Sequence, residues 1–270
     1  MILSDSQIIT GGADVAGFNE TQQPFFSVVM CCNRDDGYIH QAIQSVLEQS
    51  FSFFEFVVVL NRCTDELYES VAAIKDSRIV LLRTEIGQLS FNLNLGVNSA
   101  SGKFIVRFDS DDICHVDRLE ESYRIIVSDP EIDILAGSCR IIDADGKVVG
   151  ARVLVEQDWR SRLAYTNPFV HPAMAIRRDL ILSARGYLGG FQSEDYDLWM
   201  RLAKREDIKC VFTSFPMIDY RVSDFQSKGS RQAYAEVASY FLREFLIEPG
   251  FRKLFSVMVS VVKVFLKSKK

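Results

Sequence analysis

A chain of 270 residues that is 48% hydrophobic can bury a large core, which excludes an intrinsically disordered protein. Its net charge of −5 supplies no global basic field, and no helix-turn-helix, zinc-finger or RNA-binding signature is present, so no nucleic acid is expected as a partner. The six cysteines include no C-x-x-C pair and read as reduced thiols in a cytosolic protein.

Residues 1–24 lack both a basic start and a long apolar stretch, which argues against a signal peptide or anchor and for a mobile polar leader. The apolar run Phe25–Cys32 predicts a buried strand. Tyr38–Gln49 follows with apolar residues at helical spacing. A strand is expected over Phe54–Leu60, a helix from Thr64 or Asp65 to Lys75, a strand over Arg78–Leu82, a helix over Leu89–Asn98 and a strand over Phe104–Phe108. This β-α-β-α-β winding implies an α/β fold with a mainly parallel sheet and helices on both faces, whose ligands bind beyond the carboxyl ends of the strands. Further along, the patterns predict a helix over Asp117–Ser128, an apolar run at Ile132–Ala136 and a hairpin turning at Asp143–Gly146. A helix near Gln157–Tyr165, a strand at Ala173–Ile176 and a helix from Glu194 to about Lys204 complete the pattern. The simplest partition is one domain over 25–225 with a helical extension over 226–270.

Three aspartates, Asp109, Asp111 and Asp112, stand directly behind the fourth strand. At a strand's period of two, Asp109 and Asp111 point to one side and Ser110 to the other. Such a cluster is either a divalent metal site or a solvated acidic loop. On the Glu194 helix, Asp195 shares a face with Leu198, Trp199 and Leu202, while Glu194, Asp197 and Arg201 occupy the opposite one. An acid aligned with the buried stripe is either a general base in a cleft or a complement to the helix N-terminus, with Ser193 as N-cap. The chain has no G-x-G-x-x-G after its first strand, no P-loop, no H-E-x-x-H and no G-x-S-x-G. His40, His115 and His171 form no metal pattern, although Pro168 and Pro172 stiffen the segment around His171.

Residues 251–270 carry six Lys or Arg and no acid, which leaves −11 on the remainder. The longest uncharged stretch there, Leu254–Val262, is far shorter than the roughly 20 residues a bilayer requires. The tail reads either as a basic amphipathic segment lying on an anionic membrane surface, or as a helix packed on the core or on a second subunit of a homodimer.

Taken together in order, these motifs resemble the inverting family 2 glycosyltransferases of GT-A fold, over about Phe25 to Arg221. The resemblance rests on Ser27–Met30 followed by Tyr38–Leu47, on Asp109-Ser110-Asp111-Asp112 with Asp117-Arg118-Leu119, on Asn167–Pro172 as N-P-x-x-H-P, and on Glu194–Trp199 as E-D-Y-D-L-W. It implies a Rossmann-like nucleotide-binding half and a nucleotide-sugar donor, UDP-sugar favoured, contacted by Cys32, Asn33, Asn61, Asn94 and Asp109. It further implies Mg²⁺ or Mn²⁺ on Asp109 and Asp111, Asp195 as catalytic base, and His171 and Glu194 on the acceptor side. The acceptor would be a saccharide or lipid-linked species of surface-polysaccharide assembly, met in the cytoplasm or at the inner face of its membrane.

Two departures stand out. Cys31-Cys32-Asn33-Arg34 replaces the family's P-x-Y-N, and Asn61 takes the place of an aspartate expected to read the nucleotide base. Asn61 retains a donor and an acceptor for a uracil edge. The altered loop also raises an inactive nucleotide-sugar or membrane-binding module as a rival, and the D-x-D motif at a strand end raises a second, a phosphotransferase with Asp109 as nucleophile.

Overall fold

The computed structural model describes residues 23–222 and 230–266, so the expected leader lies outside the described residues except for Gln23 and Pro24. The expected 225/226 boundary and Lys267, Lys269 and Lys270 also lie outside them.

Strand β1 (Phe26–Cys32) is buried at all seven positions, as an unbroken apolar run requires when both faces of a sheet are covered. It pairs in parallel with β2 (Phe54–Asn61) and β4 (Phe104–Asp109), and β2 pairs in parallel with β3 (Ile79–Thr84). The crossovers are α1 (Ile39–Leu47), α2 (Asp65–Ala72) and α3 (Leu89–Ser99). The Thr64 hydroxyl caps α2 by accepting from the Leu67 amide at 3.3 Å. The register sets Cys31 opposite Asp109 and Asn61 opposite Thr84, so the carboxyl ends of these strands share one edge.

Antiparallel pairings enter after β4. The remaining elements are β5 (Ile113–Cys114), α4 (Arg118–Ser128), β6 (Ile134–Ile142), β7 (Val148–Arg152), α5 (Trp159–Leu163), a 3₁₀ turn (His171–Ala173), β8 (Met174–Arg177), α6 (Arg178–Ser183), α7 (Glu194–Leu202) and β9 (Cys210–Arg221). The strands run β3-β2-β1-β4-β8-β6-β9-β5, with β7 hairpinned on β6. The sheet is therefore parallel through its first half and mixed beyond it. The twelve-residue β9 has no expectation behind it because Pro216 interrupts its pattern. Its register with β6 slips there, from Thr213 opposite Gly137 to Pro216 opposite Ser138. Gly137 is required at the slip, since a Cβ would stand 2.1 Å from Met217 Cγ and 2.9 Å from the Ala173 carbonyl oxygen.

Helices α8 (Arg231–Ile247) and α9 (Phe251–Leu266) form the extension. The tail is docked on the protein: the Lys263 amine donates to the Tyr165 carbonyl, and Phe255 meets the Tyr165 ring edge-on at 6.2 Å. The buried residues of α9 are Ser256 and Ser260, while Phe251, Met258, Phe265 and Leu266 are exposed. Small side chains thus face inward and large apolar ones outward. Among the described residues, no helix is long and apolar enough to cross a membrane.

Candidate active site

Strand β4 ends at Asp109, and the chain turns immediately, with the Asp112 amide donating back to the Asp109 carbonyl at 3.4 Å. This turn, rather than strand alternation, gathers the acids, and it brings in Asp112 as well as Asp111. One carboxylate oxygen from each of Asp109, Asp111 and Asp112 lies within 4.8 Å of the others. Arg107, two positions earlier on the same strand face, donates Nη2 to Asp109 at 2.5 Å. Asp112 is 1% exposed; its Oδ1 accepts the Arg221 amide at 2.9 Å and its Oδ2 has no partner among the described residues. Burial first, and the Asp109 charge second, raise the pKa of both Asp111 and Asp112. A hard divalent cation fits this set, for it satisfies the orphaned Asp112 oxygen and removes the repulsion among three hard oxygen ligands.

Helix α7 presents the second group of acids. Asp195 Oδ2 accepts from Asn167 Nδ2 at 2.7 Å, and its Oδ1 accepts the Tyr196 amide at 2.7 Å. Burial raises the Asp195 pKa, against these bonds, which favour the charged form. Glu194 is 6% exposed, and burial followed by the Asp195 charge raises its pKa too. The expected polar face of α7 is covered: Asp197 is fully buried, ion-paired to Arg201 at 2.7 Å and to Arg243 of α8 at 2.9 Å. Helical period alone does not reveal this second layer. Ser193 holds the N-cap position without capping, because its hydroxyl donates to Glu236 of α8 at 2.7 Å. His171 Nε2 lies 3.0 Å from the Tyr187 hydroxyl, and burial first, with the Arg107 charge second, pushes the imidazole pKa well below its usual value.

A cavity of about 790 Å³ joins the two groups. Asn33, Asn61, Asp109, Asp111, His171, Glu194 and Asp195 all line it, with Arg107 and Asn167. Two expected donor contacts do not join them. Cys32 alternates away from the cavity, its thiol donating to the Arg34 carbonyl at 3.0 Å, and Cys31 lines the wall instead. Asn94 spends its amide on the backbone of Tyr187, donating to the carbonyl and accepting from the N–H, both at 2.8 Å.

Residues 27–184 match Glycosyl transferase family 2. The chain belongs to this family. It is 33% identical over 248 residues to the O-antigen biosynthesis glycosyltransferase WbnJ of Escherichia coli, covering 89% of this chain and 96% of that relative. The S. aureus TarS 1–349 structure in complex with UDP-GlcNAc superposes with a TM-score of 0.68 at 18% identity, over 90% of this chain and 73% of the 1–349 chain. The mannosyltransferase PcManGT from Pyrobaculum calidifontis, in complex with GDP-Man and Mn²⁺, gives 0.61 at 15% identity over 91% and 71%. The fold is of GT-A type and the protein is a glycosyltransferase.

In this glycosyltransferase, sequence reasoning passed over three site residues. Arg107 carried a usable signal, the same period-two face as Asp109. Asn167 stood inside a quoted motif without a role. Arg221 carried none: its side chain donates to the carbonyl of Asp111 at 2.8 Å, to those of Asp143 and Ala144 at 3.1 and 2.8 Å, and to Gln41 at 3.2 Å. It also stacks on Tyr38 at 4.0 Å, so it staples the acidic turn to α1 and the β6–β7 turn.

Proposed function

We propose that the protein transfers a sugar, with inversion, from a nucleotide-sugar donor, UDP-sugar favoured, to a hydroxyl of a saccharide or lipid-linked acceptor in surface-polysaccharide assembly. The observation that carries this reading is the single cavity lined both by Asp109 and Asp111 and by Asp195 in its bond with Asn167. Asp109 and Asp111, with Asp112 beside them, would hold Mg²⁺ or Mn²⁺, which supplies charge neutralisation for the diphosphate leaving group. Asn61, buried at the end of β2, offers one donor and one acceptor to the nucleotide base. Asn167 fixes the Asp195 carboxylate, and Asp195 accepts the proton of the acceptor hydroxyl as that oxygen attacks the anomeric carbon. Glu194 and His171 border the same region from the acceptor side. The outward apolar side chains of α9, with Arg252 and Lys253 near its start, support docking on an anionic membrane surface at the cytoplasmic face.

Thermal stabilisation by UDP-, GDP- and dTDP-sugars, each with and without Mn²⁺, tests the donor side. A ligand at 100 times its Kd adds about 2.7 kcal/mol. Stabilisation by one nucleotide class only when Mn²⁺ is present, with slow release of free sugar, supports the reading. Indifference to every donor contradicts it.

A further inference from the structure

Beside Asn167 lies a side cleft of about 300 Å³ that shares Arg152, Thr166 and Asn167 with the main cavity and adds Arg162, Val153, Val155 and Pro168 to its walls. Arg152, the last residue of β7, is half-buried and donates Nη2 to the Asn167 carbonyl at 2.7 Å. The groups acting on its charge are Cys139, Tyr220 and Arg162, none of them a carboxylate; burial first, and the Arg162 charge with it, lower its pKa against Cys139 and Tyr220, which raise it. Arg162 is exposed, and its side chain makes no hydrogen bond or ion pair among the described residues. Two guanidinium groups thus share one cleft with no acid between them.

We propose that Arg152 and Arg162 form a subsite for a phosphate or diphosphate carried by the acceptor. A planar guanidinium offers paired donors that match phosphate oxygens, and an anion between two arginines relieves both their repulsion and the burial of an uncompensated charge. The cleft belongs to the acceptor because of Asn167, whose carbonyl is held by Arg152 and whose side chain holds Asp195. A molecule whose hydroxyl meets Asp195 lies next to these arginines. Beyond them, Val153, Val155 and Pro168 offer an apolar wall to the group esterified to the far side of the phosphate. The assignment to the acceptor rests on Asp195 being the base.

Calorimetric titration of the full chain in metal-free buffer with inorganic pyrophosphate and with farnesyl diphosphate tests the subsite without calling on transfer. Both are expected to bind wild type, with binding at least tenfold weaker in Arg152→Gln and several-fold weaker in Arg162→Gln, a surface change that leaves folding intact. Tighter binding of farnesyl diphosphate assigns the anion to a lipid-linked acceptor, and equal binding assigns it to a soluble phosphosugar; either supports the subsite. Absence of binding, affinity unchanged in Arg162→Gln and Arg152→Gln, or displacement of pyrophosphate by UDP overturns it. A protein that transfers sugar without binding these diphosphates refutes the subsite alone, whereas one that binds them without any transfer refutes the proposed reaction.

Discussion

Asn167 donates its side-chain amide to Asp195 over 2.7 Å, linking the N-P-x-x-H-P segment to the first turn of α7. The bond favours the ionised carboxylate, while burial disfavours it. Removing the donor in Asn167→Ala therefore raises the Asp195 pKa further. A general base works only when deprotonated, so activity is lost at a higher pH than in wild type. A hydrogen bond to a charged group is worth roughly 1.5–3 kcal/mol, which moves the acid limb of kcat/KM upward by about 1–2 pH. A pH–rate profile checks this; a uniform fall without displacement of the limb would make Asn167 a packing residue.

The acidic turn carries a cost in the absence of a cation. Because Asp112 has a raised pKa in the folded state, its ionisation destabilises the protein as pH rises from the ordinary carboxylate value through the raised one. Asp112→Asn keeps the acceptor for the Arg221 amide and removes the charge. Its melting temperature without metal should rise by about 2–4 °C, the effect of about 1 kcal/mol in a protein near this size, and the increment from Mn²⁺ should shrink. Calorimetric scans with and without Mn²⁺ measure both.

The extension is part of the folded unit through Asp197. Asp197→Ala leaves Arg201 and Arg243 facing each other without their buried acid. Breaking a buried ion pair costs about 3–5 kcal/mol, and the exposure of Arg243 reduces this to about 2–3 kcal/mol here. A melting temperature lowered by several degrees, with earlier amide exchange in α8, is the expected result; an unchanged one would mean that α8 is held by its other contacts, the Ser193–Glu236 bond among them.

The parallel half of the fold was legible because buried strands and amphipathic helices leave periodic marks, as in Phe54–Leu60 and Tyr38–Gln49. The acid cluster was legible as a charge triplet, though its geometry was not, since a turn rather than a strand brings Asp112 in. Burial of Asp197 escaped the helical period because its cover comes from Arg243, distant in sequence. Asn94 and Cys32 look like binding residues by position, but only the folded chain shows that the Tyr187 backbone and the Arg34 carbonyl occupy them. β9 escaped because Pro216 masks a strand that tolerates it at a bulge.

For the outer face of α9, Phe251→Glu combined with Leu266→Glu alters two side chains that are 84% and 78% exposed. Sedimentation with phosphatidylserine-containing vesicles at low salt should fall severalfold while the melting temperature stays unchanged, each buried apolar side chain and each charge near the surface being worth on the order of 1 kcal/mol. Wild-type protein that ignores such vesicles would direct this face to another copy of the chain.

The central claim is that Asp195 accepts the acceptor's proton, and Asp195→Asn tests it most directly. The substitution preserves size, so the packing of Leu198, Trp199 and Leu202 survives. Positioned general bases contribute about 10² to 10⁴ in rate, whereas a charge at a helix N-terminus contributes roughly 0.3–1 kcal/mol to stability. Turnover, donor affinity and melting temperature measured on one preparation should show transfer reduced at least a hundredfold with the other two nearly unchanged. Transfer within a few-fold of wild type, with a modest loss of stability, would contradict the account and leave Asp195 a structural acid.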